Sequence, residues 1–192
     1  RETPPSGIRR FFDIAATMDD VISLGIGEPD FVSPEPIVNA GIRALEDGKT
    51  SYTSNAGMEE LRELIAREYD ERYDLTYDPE DEIVVTVGCS EAMQLAMQAL
   101  LDPGDEVLIP EPCFVSYGPS VRFAGGEVEY VPTSVENDFQ VTAADIEPHL
   151  TEHSKVLFLG YPNNPTGAVL RRETLEDIAD LVVEHDLMVV SD

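Results

Sequence analysis

Basic residues are scarce in this sequence. Lysine and arginine together number 12 against 39 aspartates and glutamates, which gives a formal net charge of −27, and Lys49 and Lys155 are the only lysines. Favourable contacts to nucleic-acid phosphates and to anionic lipid come from Lys and Arg side chains. The charge balance therefore argues against nucleic acid and membrane surfaces as partners.

Long apolar runs are also missing, and we expect no leader segment. No stretch approaches the roughly 18 apolar residues of a membrane helix, and the first residues, RETPPSGIRRFF, lack the pattern of a signal peptide. Hydrophobic residues make up 42% of the chain, enough for a core in one good-sized domain or in part of a larger one. We expect a soluble, cytoplasmic protein.

Cysteine and histidine are rare, and tryptophan is absent. There is no CxxC motif, and a cytosolic context favours free thiols at Cys89 and Cys113, although their spacing alone leaves a disulfide open. His149 and His153 are four residues apart, a spacing compatible with zinc. No third ligand clusters with them, so a solvated helix end is the favoured interpretation and we predict no metal.

The acidic residues are spread through well-patterned helical segments, as at Glu59, Glu60, Glu63 and Glu68. This distribution indicates a solvated surface and not a disordered acidic tail. The composition resembles that of proteins from salt-loving archaea, in which concentrated salt screens a highly charged surface.

Short apolar runs alternate with helical segments from residue 83 onward. Such alternation predicts an α/β fold with a mostly parallel sheet sandwiched by helices, and continuously apolar strands are typical of a sheet covered on both faces. The predicted strands are residues 83–87, 106–109, 128–131, 155–159 and 187–190. Two intervening helices, over residues 90–101 and 172–185, have their apolar faces at Met93, Ala96, Met97 and Leu100 and at Leu175, Ile178, Ala179 and Val182.

The first eighty residues predict helices over residues 8–18, 34–47 and 58–73. The second has Ser33 as N-cap, Pro34 at its first position and Gly48 just past its end. We expect an N-terminal helical arm over residues 1–50, followed by the α/β domain over residues 51–192.

Ligands of open α/β sheets bind beyond the carboxyl ends of the strands. After the first apolar run, Cys89 and Ser90 lie at a strand-to-helix turn, where free amides and the helix dipole favour an anion such as phosphate. Ser90 also fits the role of a simple N-cap. Three residues follow the later strands, namely Phe114, Asn164 and Asp192. Phe114 could stack on a ring or belong to the core, and Asn164 offers both a donor and an acceptor. We expect the Asp192 carboxylate to be buried with a cationic partner.

Six ordered motifs together resemble the pyridoxal-phosphate-dependent aminotransferases of class I/II, the aspartate aminotransferase superfamily of fold type I. They are SLGIGEPDF, YTSNAGMEELR, VGCSEA, DPGDEVLIPEPCFVSY, YPNNPTG and VVSD, and they span nearly the whole chain. The resemblance implies that the α/β domain is the family's large cofactor-binding domain, that the first 50 residues include a small-domain segment, and that the cofactor is pyridoxal 5'-phosphate.

The resemblance also implies a role for each of these strand-end residues. Cys89 and Ser90 would hold the cofactor phosphate through their backbone amides, with the Ser90 hydroxyl as an additional donor. Phe114 would stack on the pyridine ring and Asn164 would donate to its phenolic oxygen. Asp192 would pair with the protonated ring nitrogen, which keeps the ring an electron sink.

Two further residues match family positions in the first part of the chain. Tyr52 corresponds to the tyrosine that reaches the cofactor phosphate of the neighbouring subunit, which implies a homodimer. Gly27 corresponds to the backbone group near the substrate carboxylate, where a side chain would collide.

The family's Schiff-base lysine, which also moves a proton during the reaction, has no counterpart at Lys49 or Lys155. The carboxylate-binding arginine of the C-terminal small domain is missing as well. We therefore expect this sequence to be the N-terminal portion of a longer enzyme, incomplete at its C-terminus and inactive alone.

The expected reaction is transfer of an amino group between an L-amino acid, of aspartate or aromatic type, and a 2-oxo acid. A pyridoxal-phosphate-dependent lyase and a non-catalytic cofactor-binding module are alternatives. A nicotinamide oxidoreductase is a weaker one, because Gly25 and Gly27 lack the third glycine and the helix start of that motif.

Overall fold

The computed structural model describes residues 7–15, 17–22, 27 and 29–192. The described residues before Thr86 form one compact unit, and those from Thr86 to Asp192 form a second. The predicted boundary near residue 50 refers to the domains of a complete enzyme and stays a prediction.

The first unit contains three helices, as predicted. They are α1 (Ile8–Ala15), α2 (Glu35–Glu46) and α3 (Glu59–Tyr73). Helix α1 ends at Ala15, before the predicted end at Met18. Pro34, with extended backbone, takes the cap position of α2, so the predicted N-cap at Ser33 is wrong. Gly48 follows α2 with φ +70°, a conformation that glycine adopts without the cost a Cβ imposes.

The second unit is built on a parallel sheet. Its four strands are β1 (Glu106–Glu111), β2 (Glu127–Pro132), β3 (Ser154–Leu159) and β4 (Met188–Ser191). Their order in the sheet is β2-β1-β3-β4, and all three pairings are parallel. This architecture confirms the predicted α/β class.

Four helices accompany this sheet, namely α4 (Gly88–Leu100), α5 (Tyr117–Phe123), α6 (Ala143–Ile146) and α7 (Arg172–Glu184). Successive side chains of a strand point to opposite faces, so β1 and β3 contribute residues to two hydrophobic cores, one on each face of the sheet. On one side Ile109 and Phe158 pack with Met93 and Met97 of α4. On the other side Leu108 and Leu157 belong to the core that includes the buried residues of α6 and α7, Ile146, Ile178 and Leu181.

The first predicted strand, residues 83–87, is not a strand in the structure. Val84 and Val87 are largely exposed, and none of the described residues forms a strand ladder with this run. An apolar run becomes a strand only when another strand pairs with it, and hydrophobicity alone does not identify the partner.

Two predictions about burial are also wrong in part. Strand β4 is mostly exposed, with Met188 52% and Val189 44% accessible, whereas β1 and β3 are buried as expected. The apolar face of α4 is confirmed, but α7 buries Leu181 with Ile178 and leaves Leu175 exposed. None of the described helices combines the length and apolar character needed to cross a bilayer.

Candidate active site

Asp192 follows β4 at the carboxyl edge of the sheet. Its backbone N–H donates to the carbonyl of Leu159 at 3.0 Å, which continues the pairing of β3 with β4 by one residue. Both carboxylate oxygens have a donor. The hydroxyl of Tyr117 donates to Oδ2 at 2.6 Å, and the thiol of Cys89 donates to Oδ1 at 2.8 Å. Three separate segments therefore converge on one carboxylate.

The ring of Tyr117 is fixed by aromatic packing. It is 3% exposed and stacks on Phe158, with 4.1 Å between the ring centroids and 30° between the planes. Phe114 meets it edge-on at 5.7 Å. Burial, and then the hydrogen bond to Asp192, raise the pKa of the Tyr117 hydroxyl well above its ordinary value. Tyr117 therefore remains a protonated donor over the physiological pH range.

The surroundings of Asp192 differ from the sequence-based expectation. We expected a buried carboxylate with a cationic partner, but Asp192 is exposed and its two donors, Tyr117 and Cys89, are neutral. An exposed carboxylate keeps part of its hydration, so neutral donors suffice to hold it.

The start of α4 carries the predicted anion-binding residues. Val87 is the N-cap and supplies no side-chain cap, and Gly88 begins the helix with φ +75°. The amides of Cys89 and Ser90 belong to the first helical turn, whose N–H groups have no acceptor within the helix. The simple N-cap role for Ser90 is therefore wrong, since Ser90 is the third residue of α4.

The Cys89 thiol is held in its protonated form. The hydrogen bond to Asp192, then partial burial and the Asp192 charge, raise the pKa of Cys89 above its ordinary value. A helix N-terminus normally lowers a cysteine pKa, so here the neighbouring carboxylate outweighs the helix. Both cysteines are free thiols, as expected.

The turn after β3 is organised by Asn163, not by Asn164. Asn163 is 7% exposed, and its Nδ2 donates to the carbonyls of Pro112 at 3.1 Å and Gly160 at 3.3 Å. Its Oδ1 accepts from the amide and the hydroxyl of Thr166, at 3.1 and 2.8 Å. Asn164 is exposed beside it. This arrangement leaves the Asn164 side chain outside the bonding that fixes the turn.

The two remaining predicted site residues lie in the first unit. Tyr52 is fully exposed. Gly27 is exposed, and a Cβ built on it would meet nothing within 4 Å. Gly25, the other glycine of the nicotinamide motif, is outside the described residues.

Lys155 lies at the opposite end of the sheet from Asp192. It is the second residue of β3, and its ammonium pairs with Asp105 at 2.5 Å and approaches Asp102 at 3.6 Å. The hydrogen bond to Asp105 raises the pKa of Lys155, and the same bond lowers that of Asp105. Lys155 is the only lysine between Thr86 and Asp192.

Two residues of the site were not found by sequence reasoning. The signal for Tyr117 was its place three residues after Phe114 in PEPCFVSYGPS, which puts both aromatics near the same turn. The signal for Asn163 was its place between two prolines. The Cys89 side chain was also missed, since we had assigned that residue a role only through its amide.

The model of the family Aminotransferase class I and II matches residues 19–192. The chain belongs to this family. The putative aminotransferase YugH of Bacillus subtilis is 50% identical over the whole chain, and an aspartate aminotransferase of Pyrococcus abyssi is 50% identical over 98% of it. The crystal structure of an aromatic aminotransferase from Pyrococcus horikoshii superposes with a TM-score of 0.88 at 44% identity, over 96% of the chain.

The match covers only part of each relative. The chain spans 50% of the Bacillus protein, 48% of the Pyrococcus abyssi protein and 49% of the Pyrococcus horikoshii structure. The family assignment therefore rests on a region of about half their length, and this region contains the parallel sheet and its carboxyl edge.

Proposed function

We propose that this chain is part of a pyridoxal-phosphate-dependent aminotransferase that exchanges an amino group between an L-amino acid and a 2-oxo acid. The observation that carries the proposal is the carboxylate of Asp192, held at the sheet edge by Tyr117 and Cys89. A fixed, ionised carboxylate is the partner that a protonated pyridine nitrogen needs.

The residues present fit pyridoxal phosphate. The uncapped first turn of α4, with Gly88 at its start and the amides of Cys89 and Ser90, suits a phosphate. Phe114 lies near Tyr117 and offers an aromatic face for the ring. Asn164, exposed beside the turn fixed by Asn163, supplies an amide donor for a ring oxygen.

Each of these residues would have a distinct task. The bound cofactor would withdraw electrons from the α-carbon of the amino acid. The α4 amides would hold its phosphate, and Asp192 would keep a proton on the ring nitrogen. Tyr117 would orient Asp192 through Oδ2, because its own ring is fixed against Phe158.

The lysine of this chemistry is not supplied by the second unit. Lys155 is paired with Asp105 at the far end of β3, and a proton carrier must lie within hydrogen-bond reach of the atom it serves. We therefore propose that these 192 residues alone do not transaminate.

We further propose a homodimer in which Tyr52 reaches the phosphate of the neighbouring site. Its complete exposure leaves the hydroxyl available for such a contact. Gly27 would approach the substrate carboxylate through its backbone. The names of the relatives include both aspartate and aromatic aminotransferases, so we propose an amino acid of one of these two types as the donor.

The charge of −27 supports a high-salt cytoplasm as the setting, and a haloarchaeal origin with it. At high ionic strength the repulsion among surface carboxylates is screened over a few ångströms.

The test is a titration of the full-length protein with pyridoxal phosphate, followed by visible absorption and by dialysis. We expect saturable binding that Asp192→Asn weakens by about tenfold or more, since the charged partner of the ring nitrogen is lost. Asp186→Asn, on the surface after α7, is the matched control and should bind as the wild type does.

Amino donors are then added one at a time with 2-oxoglutarate as the acceptor. Aspartate or an aromatic amino acid should give amino-group transfer. A full-length protein that binds no pyridoxal phosphate, or that binds it and transfers no amino group from any donor, would overturn the proposal.

A further inference from the structure

The Cys89 thiol contacts the same carboxylate as Tyr117 but on the other oxygen. The Sγ to Oδ1 distance is 2.8 Å, and the Tyr117 hydroxyl occupies Oδ2. The Asp192 backbone N–H donates to the Leu159 carbonyl, so the residue is held by one backbone bond and two side-chain bonds. Only the Cys89 contact comes from the helix whose first turn is the proposed phosphate site.

We infer that Cys89 is a positioning residue, whose thiol donates to Asp192 and holds that carboxylate correctly oriented for the ring nitrogen of pyridoxal phosphate. This inference rests on the proposed function for the identity of the ligand. The pairing of the thiol with the carboxylate stands independently on the geometry.

The direction of the hydrogen bond supports this role. A carboxylate accepts and cannot donate, so the proton must reside on sulfur. With Tyr117 on the other oxygen, a donor to each oxygen fixes the rotation of the Asp192 carboxylate, and the same contact raises the pKa of Cys89, against the usual effect of a helix N-terminus. Cys89 is therefore a poor nucleophile while Asp192 is charged.

The position of Cys89 on α4 gives the contact a further consequence. Its backbone amide lies in the turn assigned to the phosphate, and its side chain bonds the carboxylate assigned to the ring nitrogen. One residue thus sets the spacing between the two ends of the cofactor site. A change at Cys89 should alter cofactor affinity without altering the fold.

The first measurement tests the pairing without any cofactor. The full-length protein, depleted of cofactor, is treated with iodoacetamide at neutral pH, in a Cys113→Ala background so that Cys89 is the reactive thiol of this segment. We expect Asp192→Asn to accelerate alkylation about fivefold or more, because the thiol loses a charged acceptor and its thiolate fraction rises. An unchanged rate would overturn the pairing.

The second measurement tests the consequence for the cofactor. Cys89→Ala should weaken pyridoxal phosphate binding about fivefold, as expected for loss of a hydrogen bond to a charged group. Cys89→Ser keeps a donor and should restore affinity to within about twofold of the wild type. Cys113→Ala is the matched control, since it removes a thiol that does not bond Asp192, and it should leave affinity unchanged.

The outcomes separate the two proposals. If Cys89→Ala and Cys89→Ser bind equally, or if Cys89→Ala binds as the wild type does, the positioning role is overturned. If the wild type fails to bind pyridoxal phosphate, the proposed function fails, and so does the role of Cys89 toward that cofactor. The alkylation result then still decides whether Cys89 and Asp192 are paired. Equal urea midpoints among the variants show that affinity changes do not arise from unfolding.

Discussion

The side-chain amide of Asn163 donates to the backbone carbonyl of Pro112, 51 residues earlier in the chain, at 3.1 Å. This bond joins the loop after β3 to the loop after β1, which carries Phe114. The two loops that border the proposed cofactor site are thus held to each other by a buried side chain.

Substitutions at the two neighbouring asparagines should differ in their effect on the free energy of unfolding. Asn163→Ala should lower the free energy of unfolding by about 2–3 kcal/mol, because it removes a buried side chain that bonds Pro112, Gly160 and Thr166. Asn164→Ala should change stability by less than about 0.5 kcal/mol, since its side chain is exposed. Urea unfolding of the full-length protein measures both.

The same two variants distinguish the effect on stability from the effect on cofactor binding. Asn164→Ala should weaken pyridoxal phosphate binding or shift its visible band at unchanged stability, while Asn163→Ala should lower stability and weaken binding together, because it releases the two loops that border the proposed site. Equal unfolding energies for the two variants would contradict the assignment of the turn to Asn163.

Gly160 lies directly against the Tyr117 ring, and enlarging it should displace that ring. A Cβ at residue 160 would come within 2.5 Å of the Tyr117 hydroxyl oxygen and about 3 Å of its ring. Tyr117 is buried and stacked, so it cannot simply swing away. Gly160→Ala should cost about 1–3 kcal/mol of stability, as overpacking of a core does, and should weaken cofactor binding through Asp192.

Gly41→Ala serves as the control for this substitution. Gly41 lies within α2, and a Cβ there would meet nothing within 4 Å. Alanine is a better helix former than glycine, so this variant should be unchanged or up to about 1 kcal/mol more stable. A Gly160→Ala protein as stable as the wild type would show that the Tyr117 ring moves freely.

Cys113 should make stability depend on pH in the alkaline range. Burial, and then the charge of Glu111, raise the pKa of the Cys113 thiol from 9.0 to about 11. Between these values the unfolded chain releases the thiol proton while the folded chain retains it. The contribution of Cys113 is therefore fully present below pH 9 and is lost as pH rises toward about 11.

The measurement compares the wild type with Cys113→Ala. The free energy of unfolding of the wild type, minus that of the variant, should decrease between about pH 8 and about pH 10.5. A difference that stays constant with pH would refute the shift.

Salt should stabilise the protein. With a net charge of −27, screening of carboxylate repulsion should raise the melting temperature as KCl increases from about 0.2 M to about 2 M. A variant with exposed α3 acids neutralised, Glu59→Gln with Glu60→Gln and Glu63→Gln, should show a smaller rise. A melting temperature that is flat or falls with KCl would argue against the high-salt setting.

Local sequence signals predicted most of the second unit. Strands β1 and β3 and helix α4 follow the predicted ranges closely, because continuous apolar runs and helical periodicity are properties of neighbouring residues. Residues 83–87 carried an equally apolar signal and form no strand in the described structure. Strand formation also depends on a partner far away in sequence, and the apolar pattern does not encode it.

The sequence indicated where the residues of the candidate site lie in the fold, but not which hydrogen bonds they make. The rule that ligands bind beyond the carboxyl ends of strands identified Cys89, Phe114 and Asp192, and the structure brings their segments together. The rule did not indicate that Tyr117 and the Cys89 thiol would share the Asp192 carboxylate. Tyr117 precedes Asp192 by 75 positions and Cys89 precedes it by 103, and hydrogen bonds between residues so far apart in sequence are set by the folded geometry. The roles assigned to Cys89, Phe114 and Asp192, and those assigned to Ser90, Asn164, Tyr52 and Gly27, stay predictions.

The bond from Asn163 to Pro112 also sets a rule for recombining this protein with its relatives. A chimera that takes the loop after β3 from another member of the family, while keeping the native loop after β1, would separate the Asn163 side chain from the Pro112 carbonyl that it contacts. Exchanges between family members should therefore transplant both loops as one module, although Asn163 and Pro112 lie 51 residues apart in the sequence.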